Sequence, residues 1–238
     1  MAVSFEIVDD PGRSCAALMV GAASGGGHIV LAGGSTPKAA NHHFVQAVTS
    51  VGLDLSTTTL WLGDERCVEP TDDRSNYRMI KESLLDALDP PPTMHRIRGE
   101  LGPEAGAMDY EAVIHQAGDP RFDLFLLGIG PDGHTLSLFP GQSAVAERER
   151  LMIGVPEAGL EPFVARVSMT LTAVALAKHV VLLAAGESKA EAIAGAFGPG
   201  AEPDPAVPAS MLAASARRLT VLIDPAAGSR LPAEGVGR

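Results

Sequence analysis

The sequence predicts a three-layer α/β/α fold around a mostly parallel, Rossmann-like sheet, and two observations support this. Short apolar runs alternate with helical patterns along the 238 residues, which is typical of parallel strands with helices on both faces. The runs FDLFLL and VVLLAA are continuously apolar, as expected of strands buried on both faces. Because aromatic residues make up only 4% of the chain, the core is predicted to consist mainly of Ala, Val, Leu and Ile.

The elements follow in order from these patterns. Short runs rich in β-branched and aliphatic residues predict strands at residues 3–8, 28–32, 59–62, 122–127, 150–155, 164–168, 179–184 and 219–223. Helical patterns predict helices at residues 14–23, 37–50, 76–88, 103–117, 171–177, 189–196 and 208–214. The Pro/Gly-rich segments are too short for domain linkers and are predicted to be surface loops. We therefore predict one domain over residues 1–238, with a frayed tail at 226–238.

Charge and cysteine content narrow the classes of function. The net charge is −11 and no Lys/Arg run is visible, which argues against nucleic acid or an anionic membrane as a partner. No apolar run approaches the ~18 residues of a membrane span, and MAVSFEIVDD lacks a signal-peptide pattern. Cys15 and Cys67 stand in unrelated contexts, which predicts two reduced thiols in a cytoplasmic protein. A small anionic ligand is compatible with this charge, because its site needs only a few local cations.

The segment GGSTP, after the second predicted strand, has the composition of an anion-binding turn. Gly33 and Gly34 let the backbone approach a ligand closely. Ser35 or Thr36 is expected to cap the next helix, whose first turn suits Pro37. The free N–H groups of a helix N-terminus attract anions, although an ordinary capped helix after a tight turn explains the same residues. The Gly-Lys-Ser/Thr ending of a nucleotide-binding P-loop is absent, so ATP is not expected.

Charged residues follow the third predicted strand directly, at Asp64, Glu65 and Arg66. Ligands of open α/β sheets bind beyond the carboxyl ends of the strands. Because Arg66 offers a planar fork of donors for phosphate or carboxylate, it is a candidate anion ligand. A surface ion pair is the alternative for each of the three residues taken alone. Ser75 is predicted to cap the following helix, and Asn76 is compatible with a structural role.

The segment GIGPDGH presents Asp132 and His134 from one tight loop after the strand at 122–127. Its Gly-x-Gly-x-x-Gly spacing matches a dinucleotide fingerprint. We reject that interpretation because the segment lies in mid-chain, Asp132 would repel a pyrophosphate, and Pro140 ends the segment too soon for a docking helix. A histidine exchanges protons near neutral pH and a carboxylate can orient it. The structural alternative is a hydrogen-bonded loop histidine with Asp132 as a turn residue.

Two further cations are candidates: Lys189 follows the strand predicted at 179–184, and Arg166 lies within the strand predicted at 164–168. Ser188 is predicted to cap the helix after VVLLAAGE, which places Lys189 in its first turn. The helix dipole disfavours a cation there unless an anion binds beside it. A solvated lysine near Glu187 and Glu191 is the alternative. Arg166, in VARVSMT, could supply a second cation.

Neither a serine nucleophile nor a metal site is predicted. Gly-x-Ser-x-Gly is absent, and Ser137, three residues after His134, lacks the context of a nucleophile elbow. His42 and His43 are adjacent on a predicted helix, so they point in different directions, and no His-x-x-x-His spacing occurs. We therefore expect no metal and no cofactor.

Seven segments between residue 31 and residue 212 carry a resemblance to a known family: LAGGSTP, GDERCV, RSNYRMI, FDLFLLGIGPDGHTLSLFPG, RVSMT, GESKAEAI and PASML. In these segments and in their order, the chain resembles the 6-phosphogluconolactonase family of the pentose phosphate pathway. The related glucosamine-6-phosphate deaminases share the Gly-Ser-Thr-Pro and Gly-x-Asp-Gly-His elements. They resemble this chain less, because they carry Asp-Glu-Tyr at 64–66 and Asn-Glu-Pro at 138–140. This chain departs from the lactonase family where EAGLEPFVAR replaces a Lys/Pro-rich approach to the arginine of RVSMT.

The resemblance implies one domain of the deaminase/isomerase type and metal-independent hydrolysis of 6-phospho-D-glucono-1,5-lactone to 6-phospho-D-gluconate. On this hypothesis His134 activates the attacking water and Asp132 orients the His134 imidazole. Asp64 is a further candidate for a supporting role among the polar residues of the site. The residues assigned to the substrate and its phosphate are Gly34, Ser35, Thr36, Arg66, Arg166 and Lys189. We expect a monomer or weak homodimer. The alternatives are sugar-phosphate deamination or isomerisation on the same scaffold, and a non-enzymatic sensor of sugar phosphates, for which no DNA-binding module is predicted.

Overall fold

The computed structural model describes residues 3–232. The strands are β1 (Ser4–Ile7), β2 (His28–Leu31), β3 (Thr59–Leu62), β4 (Asp64–Arg66), β5 (Thr93–His95), β6 (Leu124–Leu127), β7 (Met152–Val155), β8 (Arg166–Met169), β9 (Val180–Ala184) and β10 (Leu219–Ile223). The α-helices are α1 (Pro11–Ala23), α2 (Ser35–Val51), α3 (Asn76–Ser83), α4 (Pro103–Gln116), α5 (Leu171–Val174), α6 (Ala190–Phe197) and α7 (Leu212–Ser215). Short 3₁₀ turns connect several of these elements.

A parallel sheet of seven strands, in the order β1-β10-β9-β6-β2-β3-β5, forms the centre of the fold. The predicted mostly parallel sheet with flanking helices is therefore confirmed. Every residue of β6, β9 and β10 is buried, as the continuous apolar runs indicate. The few aromatic residues are concentrated in this core, where the Trp61 ring lies 6.0 Å from Phe122 and 6.1 Å from Tyr110.

The order of the strands predicts a crevice at the carboxyl ends of the central strands of this sheet. Strand β2 pairs with β3 on one side and with β6 on the other. The connections therefore diverge between β2 and β6, and open α/β sheets bind ligands beyond the carboxyl ends of strands at such a switch point. The segments that leave these two strands contain the turn at residues 33–34 and the loop at 128–134.

A second sheet of three antiparallel strands, in the order β4-β8-β7, was not predicted. Residues 64–66, which lie outside the predicted strands and helices, form strand β4, and Arg66 lies directly opposite Arg166 of β8. Alternation of strands and helices along the sequence does not reveal this pairing, because it joins strands about a hundred positions apart. The sheet projects charged side chains from strands rather than from loops.

Several predicted boundaries were wrong, each for a local reason. Helix α1 begins at Pro11 rather than residue 14, because the Asp10 side chain accepts from Arg13 N at 3.0 Å and caps it. Strand β5 was missed because it has three residues after a proline run and forms the edge of the sheet. Helix α3 ends at Ser83 rather than residue 88 and gives way to a 3₁₀ turn. The helix predicted at 208–214 divides into a 3₁₀ turn and α7.

The segment predicted to fray is described only up to residue 232. Ala227 is fully buried and its N–H donates to Asp224 Oδ1 at 2.7 Å, so the beginning of this segment is packed in hydrogen-bonded turns. Residues 233–238 lie outside the described part, and one domain over 1–238 stays a prediction. Among residues 3–232, no helix has the length and apolarity to cross a membrane.

Candidate active site

A cleft of about 250 Å³ opens at the switch point between β2 and β6. Both the glycine turn after β2 and the imidazole of His134 face it. The residues that line it are Ala32, Gly33, Gly34, Asp64, Arg66, Asn76, Leu127, Gly128, Ile129, Gly130, Pro131, His134, Leu136, Leu160, Glu161 and Lys189. Segments far apart in the sequence therefore converge on one cleft.

The glycine turn brings bare backbone to the cleft. Gly33 packs so closely on the Asn76 side chain that a Cβ there would overlap it. Gly34 has φ of 109°, which favours glycine, and it occupies the N-cap position of α2 without a side-chain cap. The prediction that Ser35 or Thr36 caps this helix was wrong, because the helix already begins at Ser35. Ser35 and Thr36 instead form the first turn of α2, next to the cleft but outside its lining.

His134 and Asp132 form a hydrogen-bonded pair, a contact that their spacing alone could not predict. His134 Nδ1 lies 2.5 Å from Asp132 Oδ1, which also accepts from His134 N at 3.2 Å. Gly130 must be glycine here, because a Cβ would overlap both side chains. The Phe139 ring packs against the imidazole with centroids 4.7 Å apart. Since Asp132 occupies Nδ1, Nε2 is the nitrogen that His134 offers to the cleft.

Strand β4 presents Asp64 and Arg66 to the cleft. Asp64 Oδ2 accepts from Ser137 Oγ at 2.6 Å, and Asn76 Nδ2 donates to Asp64 O at 3.0 Å. Arg66 Nη1 donates to Arg74 O at 2.6 Å, which holds the guanidinium at the rim. These contacts fix the charged side chains before any ligand enters.

Glu65 points to the opposite face of β4 and has a structural role. It is 2% exposed, and its carboxylate accepts from the backbone N–H groups of Asn76 and Tyr77 at 2.7 Å each and from Ser75 Oγ at 2.9 Å. Burial raises the pKa of Glu65, and these donors oppose that rise. Glu65 therefore anchors the N-terminus of α3 on β4. The predicted N-cap, Ser75, is confirmed, since its Oγ accepts from Arg78 N at 3.1 Å.

Lys189 lines the cleft, but not from the first turn of a helix capped by Ser188, as predicted. A 3₁₀ turn from Glu187 to Lys189 precedes α6, which begins at Ala190, and the Ser188 side chain makes no capping bond. Burial lowers the pKa of Lys189, and the nearby charge of Asp132 partly counteracts this. Lys189 and His134 therefore line the same cleft.

Arg166 lies beneath the cleft rather than on its surface. It is 3% exposed, and Nη2 donates to Pro162 O at 2.7 Å. Its Nε and Nη1 are buried and have no hydrogen-bond partner within residues 3–232. Burial and the charge of Arg66 lower the pKa of Arg166, but an arginine keeps its charge near neutral pH. The structure thus brings Arg166 near Arg66 without exposing it to the cleft.

Sequence reasoning missed several residues that line the cleft. Leu160 and Glu161 come from the divergent segment before Arg166, and Leu136 follows His134. Asn76 was considered only as a structural residue, although it both lines the cleft and binds Asp64. Nothing in the local sequence indicates that residues 160–161 reach the cleft, since their position depends on the unpredicted β7–β8 sheet.

An open α/β sheet with a glycine turn and a histidine–aspartate pair at its switch point defines the class, a protein with a cleft for a small ligand. The family described as glucosamine-6-phosphate isomerases/6-phosphogluconolactonase matches residues 13–221, and this chain belongs to it. The 6-phosphogluconolactonase of Streptomyces coelicolor is 36% identical over 224 residues, which cover 89% of this chain and 84% of that protein.

Two solved structures support the same assignment. The devB protein is 31% identical, with a TM-score of 0.86 over 97% of this chain and 100% of that one. The 6-phosphogluconolactonase of Leishmania guyanensis is 28% identical, with a TM-score of 0.80 over the whole of both chains. The predicted family and the deaminase/isomerase type of fold are therefore confirmed.

Proposed function

We propose that this chain hydrolyses 6-phospho-D-glucono-1,5-lactone to 6-phospho-D-gluconate in the oxidative pentose phosphate pathway. Its homologues named 6-phosphogluconolactonase, at 32–37% identity, support this activity. One observation in the structure carries the proposal. The His134–Asp132 pair and the side chains that attract an anion, Arg66 and Lys189, line or adjoin one cleft together with the turn at Gly34.

The phosphate of the lactone binds at the side of the cleft that has the glycine turn. The first-turn N–H groups of α2 and the Ser35 and Thr36 hydroxyls supply donors, and the positive end of the helix favours the anion. Lys189 and Arg66 supply charge. Arg166 adds positive charge from beneath the cleft. Because it is buried and donates to Pro162 O, it can contact the anion directly only if the segment around Pro162 moves. Binding at this end orients the lactone carbonyl and lowers the entropic part of the barrier.

His134 acts as the general base on water. Nε2 accepts a proton from the water whose oxygen bonds to C1, and Asp132 at Nδ1 stabilises the imidazolium that forms. Loop N–H groups or Arg66 stabilise the oxyanion. The intermediate collapses by breaking the bond between C1 and the ring oxygen, which receives the proton from Nε2. Hydrolysis consumes one water, and the new carboxylic acid releases a proton to solution.

The second candidate, deamination or isomerisation of an amino-sugar phosphate, is supported by the shared family description. Phe139 favours the lactonase instead. It is 2% exposed and covers one side of the His134 ring, at a position where the deaminases that the sequence resembles carry a glutamate. A carboxylate there would add a second acid beside the imidazole.

The remaining parts of the proposal concern the surroundings of the enzyme. We propose a cytoplasmic monomer or weak homodimer that needs no metal or cofactor and does not bind nucleic acid. Both cysteines are free thiols, and burial raises the pKa of Cys15 to about 12 and that of Cys67 to about 11. Such thiols are unreactive at neutral pH.

A proton-release assay tests the function. The purified chain should accelerate acid release from 6-phosphogluconolactone above the spontaneous rate, equally with and without EDTA. Glucosamine 6-phosphate should give no ammonia. Ammonia release, or acid release no faster than the blank, would contradict the lactonase proposal, and a rate abolished by EDTA would contradict metal independence.

A further inference from the structure

Ser137 carries a buried hydroxyl beside the cleft that the proposed mechanism does not use. It is 1% exposed and lies three residues after His134. Its Oγ donates to Asp64 Oδ2 at 2.6 Å, and its N–H donates to Ser168 Oγ at 3.1 Å. Ser137 therefore ties the loop that carries His134 to strands β4 and β8 at once.

The bond from Ser137 fixes a charged group of the cleft. An O–H···O distance of 2.6 Å is typical of a hydroxyl that donates to an ionised carboxylate. Asp64 Oδ1 accepts a longer bond from Asn76 Nδ2, at 3.3 Å, so the carboxylate is held from two sides. Asp64 and Arg66 lie on the same face of β4 and both line the cleft. The orientation of the Asp64 carboxylate therefore influences the electrostatic potential on this side of the cleft.

The backbone between His134 and Ser137 needs such an attachment. Leu136 has φ of 54°, in the left-handed region that residues other than glycine rarely adopt. Strained backbone of this kind persists only where the surrounding structure holds it. Leu136 lines the cleft, and a Cβ on Gly63 would meet Leu136 Cδ2 at 2.9 Å. Releasing Ser137 would free one end of this strained turn, two residues from the imidazole.

We propose that Ser137 is a positioning residue. Through its bond to Asp64, it sets the distance between the His134 imidazole and the side of the cleft that β4 forms with Asp64 and Arg66. This inference rests on the proposed lactonase function. Ser137 is not placed as a nucleophile, because its proton is directed at Asp64 and His134 Nδ1 is directed at Asp132. It contributes alignment, and a misplacement of about 1 Å can cost ~100-fold in rate.

The test compares Ser137→Ala with Ser75→Ala. Ser75 is a matched control, since it is 2% exposed and donates to the Glu65 carboxylate on the other face of the same strand. For Ser137→Ala, kcat on the lactone should fall ~10–100-fold, while KM and the Kd of 6-phosphogluconate change less than about threefold. For Ser75→Ala, kcat should stay within about twofold, although both variants should lose stability in thermal unfolding. Ser137→Cys, which keeps the volume but donates weakly, should lose activity to an intermediate degree and replaces Ser137→Ala if that variant does not fold.

A double-mutant cycle tests the route through Asp64. In an Asp64→Ala background, Ser137→Ala should reduce kcat by no more than about a further twofold, because the partner is already gone. A full additive loss would overturn the route, and an unchanged kcat in folded Ser137→Ala, or an equal loss in Ser75→Ala, would overturn the positioning role. An active wild type with unaffected Ser137 variants refutes this inference alone. An inactive wild type refutes the proposed function, and this inference with it.

Discussion

The two walls of the cleft are built on different principles. Loops at the carboxyl ends of parallel strands form one wall and contribute Gly34, His134 and Lys189. The antiparallel sheet forms the other and contributes Asp64 and Arg66 directly from a strand. In the proposed mechanism the loop wall supplies the general base and part of the phosphate site, whereas on the sheet wall Asp64 is held by hydrogen bonds from Asn76 and Ser137. The proposed general base therefore comes from a loop, whereas charged side chains held by hydrogen bonds, among them the proposed phosphate ligand Arg66, come from a strand.

The largest effect is expected on the loop wall. His134→Ala should reduce kcat by ~10²–10⁴ because the general base is lost, while the Kd of 6-phosphogluconate, measured by calorimetry, stays close to that of the wild type. His115→Ala is the matched control, since His115 makes a 2.5 Å contact with Asp119 on an exposed part of α4. Near-normal turnover in His134→Ala would remove the residue from the mechanism.

The next largest effect should fall on stability and come from the sheet wall. In the wild type, N–H and O–H donors of residues 75–77 face the carboxylate oxygens of Glu65. Glu65→Gln replaces one of these oxygens by an amide N–H₂, which cannot accept, so the free energy of unfolding should fall by about 2–3 kcal/mol. Urea denaturation measures this, with the exposed Glu82→Gln as control. If folded Glu65→Gln kept full stability, the hydrogen bonds of Glu65 would not stabilise the sheet wall.

A smaller effect is expected at Lys189 on the loop wall, where a substitution should change KM rather than kcat. Lys189→Ala removes a cation from the anion side, so KM for the lactone should rise about tenfold with little change in kcat. Lys178→Ala, which removes an exposed lysine paired with Asp123, should leave both constants unchanged. An unaltered KM in Lys189→Ala would take this residue out of the phosphate site.

The smallest expected effect is a pH dependence of binding. Burial lowers the pKa of Lys189 below its ordinary value of 10.5. The charged form therefore predominates below that lowered pKa and is lost as the pH rises through it. Calorimetry at pH values rising from neutral towards 10.5 should show weaker binding of 6-phosphogluconate as the pH rises, by no more than the ~10-fold effect expected for Lys189→Ala. That variant should not show this decline, and an equal decline in it would assign the effect to another group.

The same comparison explains what the sequence could predict. The loop wall follows strands with strong apolar signals, so Gly34, His134 and Lys189 could be named from local patterns. The N-caps predicted for the two helices, at Ser35 or Thr36 and at Ser188, were wrong. The first residue of a helix depends on a few backbone contacts that the local sequence does not determine. The sheet wall depends on the pairing of Arg66 with Arg166 across a hundred positions, and no local pattern encodes that register. The burial of Arg166 and of Glu65, and the approach of Glu161 to the cleft, follow from this pairing.

The structure of a complex with 6-phosphogluconate tests most directly whether the anion and the reacting carbon share this cleft. We predict the phosphate against Gly34 and Lys189, with the product carboxylate within hydrogen-bond distance of His134 Nε2. A phosphate bound outside the cleft, or a carboxylate beyond the reach of the imidazole, would contradict the account.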